Sequence, residues 1–355
     1  MGTAVVRTDA ADPRTRGYEL GATSPVGRVW DTYKAIFAEN GVTHLAHDVA
    51  EASFDRVQDW APDLAEEMLG IAEGSGLLPW NIAALNARSE ILAHAVTRLP
   101  GECSTAVFLP SSGAPRTIQT WDWHEALADL TVAWQLRSSS GATVKTLTEC
   151  GIVGKIGVSR AGLGVHFNLL RHGSDSGDPG VPVHVLARRV LDEAVDVDSA
   201  EAIIGSAPVS SSVALTVIAF DGRRATGACF EVAPTGVSRM DANPDGFLRH
   251  TNHFIDTSLS QGRRPSPLEP DSRARLIRLA AKAPELTSED LRARTAAMLS
   301  HTSDGAAICR HPGRPDDPSQ RWRTLVTISL DLERSQLRYR DGNLCDTTAD
   351  DWLEI

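Results

Sequence analysis

Four short stretches of the chain place reactive side chains close together in sequence. Leu99-Pro100-Gly101-Glu102 leads into Cys103-Ser104-Thr105, which carries a thiol. Gln119-Thr120-Trp121-Asp122-Trp123 follows, an acid held between two tryptophans. Further on come Arg249-His250-Thr251-Asn252-His253-Phe254 and Ala307-Ile308-Cys309-Arg310-His311. Together they offer a thiol, a carboxylate, amide and imidazole groups and a guanidinium. Polar residues packed so densely beside apolar segments are poor candidates for loops alone. His250 and His253, with Cys309 and His311, make two close pairs without a carboxylate, thin grounds for zinc; the expectation is no metal and no cofactor. His124, His166, His172 and His184 show no partner pattern.

The elements that must position these groups change character along the chain. Trp60, Leu64, Met68 and Ile71 share one face of a 3.6-residue period, and Ile82, Leu85, Leu92 and Val96 make a second stripe entered at Pro79. The first hundred residues therefore read as helices packed on a core. After Gly101 the period becomes two: Leu130, Val132, Trp134 and Leu136 alternate with Thr131, Ala133 and Gln135. Strands are expected at 103–109, 116–123, 143–150 and 163–169, with Ser111-Ser112-Gly113 turning a hairpin between the first two. Trp121 and Trp123 then point to one strand face, as core residues. Helices return at 183–195 and 199–205, strands at 213–220 and 225–232, helices at 273–283 and 289–300, and strands at 325–330 and 336–339. Thr287-x-x-Asp290 reads as a capping-box variant. Gly151-Ile152-Val153-Gly154-Lys155 lacks the spacing of a phosphate loop and reads as a turn. Blocks of strands flanked by helices imply an α+β protein with antiparallel sheets covered by helices, not βαβ units.

Composition narrows the functional classes. The 355 residues carry 46 acidic and 35 basic side chains, a formal charge of −11, and 42% are hydrophobic, enough for a large core. The negative charge and lack of a basic stripe argue against nucleic acid. The longest apolar run, Val213 to Phe220, is less than half a membrane span. Met1 to Gly17 has no hydrophobic core of a secretory signal, so a cytoplasmic location is expected. Five scattered cysteines, Cys103, Cys150, Cys229, Cys309 and Cys345, are odd in number and form no disulfide framework.

In order along the chain these segments resemble the penicillin acyltransferase family of autoproteolytic N-terminal-nucleophile enzymes, which includes isopenicillin-N acyltransferase-like proteins and β-alanyl-dopamine hydrolases. Met68–Gly74 and Leu85-Asn86-Ala87-Arg88-Ser89-Glu90 resemble its precursor segment, Glu102-Cys103-Ser104-Thr105 its processing site, and Trp121-Asp122-Trp123 its N-W-D-W box. Thr148 to Gly157, His250-Thr251-Asn252-His253-Phe254 and Ile308-Cys309-Arg310-His311 complete the set.

The resemblance implies a four-layer αββα fold and self-cleavage between Glu102 and Cys103, dividing one domain into a precursor segment, 1–102, and a catalytic piece, 103–355, that stay associated. Cys103 would be the nucleophile. Its freed α-amino group, with an ordinary pKa of about 7.7 to 8, would take the thiol proton. Asp122 would orient that amine or hold a substrate amine, Asn252 would serve the oxyanion hole, Arg310 would contact a substrate carboxylate, and Thr105, on the same strand face as Cys103, would assist processing or binding. The expected substrate is a small amide, with hydrolysis favoured over acyl transfer; a higher oligomer is compatible with this. Two departures stand out: Thr120 replaces the box's first Asn, and Ser159 stands where relatives carry Asn. The alternatives are a catalytically silent binding or scaffold protein of the same fold, and an unprocessed cysteine hydrolase with a base such as His124 or His253.

Overall fold

A computed structural model describes residues 2–95, 103–175, 178–262, 269–313, 321–346 and 351–355. The chain opens with a strand, β1 (Ala4–Thr8), before six helices: α1 (Pro13–Thr23), α2 (Val26–Glu39), α3 (Thr43–Trp60), α4 (Pro62–Ser75), α5 (Pro79–Asn86) and α6 (Arg88–Ala93). The sequence read this whole region as helical. In β1, however, Val6 and Thr8 are buried while Val5 and Arg7 face solvent, a period of two too short to stand out. The stripe expected to run from Trp60 is broken at Ala61. Trp60 ends α3 and its indole N–H donates to Ser206 Oγ at 3.1 Å, whereas Leu64, Met68 and Ile71 form the buried face of α4. Pro62 and Pro79 start α4 and α5, and Gly76 closes α4 at φ +70°. Helices α1 and α4 cross closely because Gly17, Gly21, Gly70 and Gly74 line the crossing; a Cβ on Gly70 would strike the Arg14 carbonyl oxygen. A buried triad locks the pair to the rest: Glu67 of α4 accepts from Arg16, and from Arg188 at 2.6 and 2.9 Å.

Strands β2 (Ser104–Phe108), β3 (Arg116–His124), β4 (Thr131–Arg137), β5 (Thr143–Glu149), β6 (Ile156–Ser159), β7 (Leu163–Leu169), β8 (Val213–Phe220), β9 (Ala225–Ala233), β10 (Gly236–Asp241), β11 (Phe247–His250), β12 (Trp322–Asp331), β13 (Gln336–Asp341) and β14 (Leu353–Glu354) build two sheets. One has the order β1-β4-β5-β6-β7-β8-β9-β10, the other β11-β2-β3-β12-β13-β14. Among the described strands the pairings are antiparallel except β1 with β4, which is parallel and departs from the expected pattern. Short strands β6, β10 and β11 escaped the sequence reading. The β2–β3 hairpin turns through Gly113 as expected. The helix read from residue 289 begins at Leu291, and its cap is Asp290, which accepts from Arg292 N–H, not Thr287.

Helices α7 (Val183–Glu193) and α8 (Val197–Ser206) cover the outer face of the eight-stranded sheet. Helices α9 (Thr257–Ser260), α10 (Glu269–Ala281), α11 (Ala283–Leu286) and α12 (Leu291–Met298) follow, and the last three of these cover the six-stranded sheet. The sheets face each other, β2 against β7 and β12 against β6, giving the expected αββα layers. Trp121, Trp123, Phe167 and Cys103 join helical residues such as Leu85 and Ile91 in one apolar core. No described helix is long and apolar enough to cross a membrane.

Candidate active site

Cys103 lies at the entrance of β2, between the two sheets and almost fully buried. The scissile bond expected between Glu102 and Cys103 has one partner, Glu102, outside the described residues. The register Ser104↔Thr120 brings Cys103 beside Trp121 and Asp122 of the neighbouring strand. Burial pushes the thiol up to about 11. Lys155 opposes that shift, the Asp122 carboxylate adds to it, and the Asp122 backbone N–H relieves it by donating to the sulfur. As a resting thiol Cys103 is a poor nucleophile, and its activation requires a proton acceptor.

Lys155 is the residue the sequence reading passed over. It sits at the end of the β5–β6 turn, quoted only as part of a motif. Its ammonium lies 4.3 Å from the centre of the Trp121 ring and 4.9 Å from that of Phe167, and the residue is buried. Burial lowers its pKa to about 7; Arg88 lowers it further, while Glu149 and Cys103 resist. Glu149 is already engaged: Tyr33 donates to it at 2.7 Å and Arg88 pairs with it at 3.0 Å, while Trp123 Nε1–H donates to the Tyr33 oxygen at 2.9 Å. With Glu149 held by Arg88, Lys155 is attracted to it without an ion pair. A lone Lys between glycines, in a chain with four lysines, was the available signal.

A second group surrounds the Cys103 carbonyl. Asn168 Nδ2 donates to it at 3.1 Å, and Arg275 of α10 donates to it and to Ser104 Oγ, each at 2.9 Å. Thr105 donates to Asn168 Oδ1 at 2.7 Å. Its hydroxyl holds the Asn168 amide in place. Asn252 joins this group through its Oδ1, which accepts from Arg275 at 3.2 Å, while its Nδ2 donates to the Leu169 carbonyl at 2.9 Å. A primary amide carries two N–H bonds, so Asn252 retains a second donor. Neither Asn168 nor Arg275 was singled out from sequence. The signal for Asn168 was a polar residue at alternate positions, with His166, in an otherwise apolar strand.

Arg310 lies on a loop beside β12. Its backbone N–H donates to Thr324 Oγ1 at 2.9 Å, its carbonyl accepts from Thr324 N–H at 3.0 Å, and Thr324 is the register partner of Asp122. Cys103, Asp122, Asn252 and Arg310, chosen from four separate stretches, thus converge on the β2–β3–β12 end of one sheet. The two departures lie buried: the hydroxyls of Thr120 and Ser159 have no hydrogen-bond partner. The histidines proposed as alternative bases have other partners. His124 Nδ1 accepts from Ala126 N–H, burial lowers its pKa, and His253 Nδ1 lies 2.7 Å from Ser272 Oγ. A cavity of about 20 Å³, room for about one water, lies between α6 and this end of the sheets, lined among others by Ser89, Leu92, Trp123 and Leu169.

The chain is similar to several known proteins. A protein described as the 40 kDa form of acyl-coenzyme A:6-aminopenicillanic-acid-acyltransferase from Emericella nidulans is 27% identical over 273 residues, 74% of this chain and 72% of that one. Among solved structures, a penicillin V acylase from Agrobacterium tumefaciens aligns at TM-score 0.49 with 16% identity, over 67% of this chain and 83% of its own. A conjugated bile acid hydrolase from Clostridium perfringens aligns at 0.42 with 12% identity, over 71% and 96%. Residues 111–344 match the sequence pattern of acyl-coenzyme A:6-aminopenicillanic acid acyl-transferases, and over that span the chain belongs to this family.

Proposed function

We propose that the protein is an autoproteolytic cysteine amidase that cleaves, or transfers the acyl group of, a small N-acyl amide through a thioester on Cys103. The observation that carries this reading is the placement of a buried thiol beside a buried amine of lowered pKa and a carboxylate. In the intact chain, Lys155 accepts the Cys103 proton as sulfur attacks the Glu102 carbonyl. The peptide C–N bond breaks as Lys155 passes that proton to the Cys103 nitrogen, which leaves as an amine, and a thioester joins Glu102 to the sulfur. Water then hydrolyses that thioester, giving the Glu102 carboxylate and regenerating the thiol. The new α-amino group lies on the same residue as the nucleophile and takes over as base, with Asp122 orienting its charged form.

Catalysis repeats the same acyl transfer on an external amide. Asn252 supplies a donor to the developing oxyanion, a contribution of the kind whose loss typically costs roughly 10²–10³ in rate. Arg310, on the loop bonded to Thr324 of β12 opposite Asp122, offers its planar fork to a carboxylate on the substrate. Hydrolysis is favoured over transfer because water is always present and its exclusion needs dedicated structure. All five cysteines are free thiols, which suits a reducing cytoplasmic setting.

The test is intact mass of denatured protein, followed by N-terminal sequencing and assay of amine release from N-acyl amino acids, β-alanyl amines and penicillins. Two pieces of 102 and 253 residues, the second starting Cys-Ser-Thr, are expected; Cys103→Ala should give a single uncut chain. A full-length species that nonetheless hydrolyses amides points to the unprocessed-hydrolase alternative, and one that binds without turnover to a silent relative.

A further inference from the structure

Opposite the nucleophile, at the rim of the six-stranded sheet, four side chains meet that the sequence never showed as a set. His301, Cys309, His311 and Cys345 each present one ligand atom, and these atoms all lie within 4.8 Å of one another. The sulfurs of Cys309 and Cys345 are 3.8 Å apart. His311 Nε2 is 3.9 Å from the first and 3.0 Å from the second. A tetrahedral zinc with Zn–S of about 2.3 Å and Zn–N of about 2.05 Å requires S···S separations of about 3.8 Å and S···N of about 3.6 Å. The sulfurs already stand at that spacing.

The surroundings have the form that metal-bound histidines need. A ligating imidazole ordinarily donates its other N–H to a carboxylate or amide oxygen. His301 Nδ1 lies 3.8 Å from the Asp304 carboxylate, which also accepts from the His301 backbone N–H at 2.8 Å. His311 Nδ1 lies 2.6 Å from the Asn343 amide. Asn343 is buried, and its Oδ1 has no partner. Turning that amide by half a rotation sets Oδ1 on His311 Nδ1–H, satisfies the orphaned oxygen and leaves the Nε2 lone pair for a metal. We propose that His301, Cys309, His311 and Cys345 form a structural Cys2His2 zinc site. On binding, both thiols release their protons, so two thiolates balance the 2+ charge and the centre is neutral. The site joins the segment after β13 to the loop that carries Arg310, the residue between two of its ligands. None of its ligands is among the residues placed at Cys103.

The sequence hid this set because only Cys309 and His311 are close in the chain; His250 and His253, the other pair considered, bond to Glu231 and Ser272 instead. Untagged protein purified under reducing conditions should contain close to one zinc per chain by elemental mass spectrometry. Cys345→Ser, an exposed position, should lose most of it, and Cys103→Ala should keep it. Cobalt(II) loaded into metal-stripped wild type should give thiolate-to-metal charge transfer and the visible bands of a tetrahedral centre, a readout that needs no variant to fold. The proposal is overturned if reduced protein takes up neither metal, if cobalt binds without thiolate bands, if Cys103→Ala loses the zinc, or if Cys309 and Cys345 are joined as a disulfide.

Discussion

The most discriminating perturbation is at Lys155, because its charge and its basicity can be separated. With the thiol near 11, roughly one Cys103 in 10⁴ is ionised at pH 7, a deficit of about 5 kcal/mol against a fully formed thiolate. Lys155, near 7, is about half neutral at that pH. A general base so placed is worth about 10²–10⁴ in rate. Lys155→Met keeps an apolar stem among Trp121, Trp123 and Phe167 and should slow self-cleavage by about 10²-fold or more. Lys155→Arg keeps the positive charge but cannot accept a proton, so it should be about as slow. The assay is conversion of freshly refolded full-length chain to the two fragments, followed by mass at a series of pH values. Wild type should accelerate as pH rises through about 7, since the amine must be neutral to act, and then level off. Both variants should lose that rise. If Lys155→Arg processes at the wild-type rate with the same pH profile, the lysine serves as a charge and the proton-acceptor role is wrong.

Glu90 gives a stability prediction with a definite sign. Burial raises its pKa to about 7, one oxygen accepts from Val183 N–H at 2.9 Å, and the other has no partner. The folded state therefore holds a proton that the unfolded chain releases above about 4.5; this stabilisation is full below that value and is lost as pH rises towards 7. Glu90→Gln should flatten denaturant-melt stability across that window. Gly70→Ala places a methyl against the Arg14 carbonyl where α1 and α4 cross, and should lower stability by about 1–3 kcal/mol in chemical denaturation. Arg88→Met strands the buried Glu149 and should cost about 3–5 kcal/mol by the same measurement. Arg310→Met should raise KM for carboxylate-bearing amides by about tenfold or more while leaving KM for uncharged amides unchanged.

Much of the framework was legible because period and pattern are local. Leu163–Leu169 and Val213–Phe220 match to the residue, and the β2–β3 hairpin was announced by its turn. What failed did so where the deciding contact is distant. Strand β1 takes its conformation from pairing with β4, more than a hundred residues away. The site shows the same division. Cys103, Asp122, Asn252 and Arg310 stand in recognisable local motifs. Lys155, Asn168 and Arg275 matter because the fold carries them to one sulfur or one carbonyl, and the local signals at Lys155 and Asn168 are faint without those distant contacts.

Those distant contacts also bear on the proposed cleavage, under which the segment 1–102 would not be a disposable cap. Arg88 comes from 1–102 and Glu149 and Lys155 from 103–355, yet the three share one buried electrostatic balance. Burial does most to lower the Lys155 amine, and Arg88, which pairs with Glu149, lowers it further by repulsion. Without the segment, Glu149 would turn its full attraction on Lys155 and fix it as an ammonium. The Glu67–Arg188 pair and the shared apolar core bind the same two pieces together. If the chain is cut as proposed, the contacts from α4 and α6 would hold the two pieces together, and the same Arg88 would add to the lowering that burial imposes on the Lys155 amine.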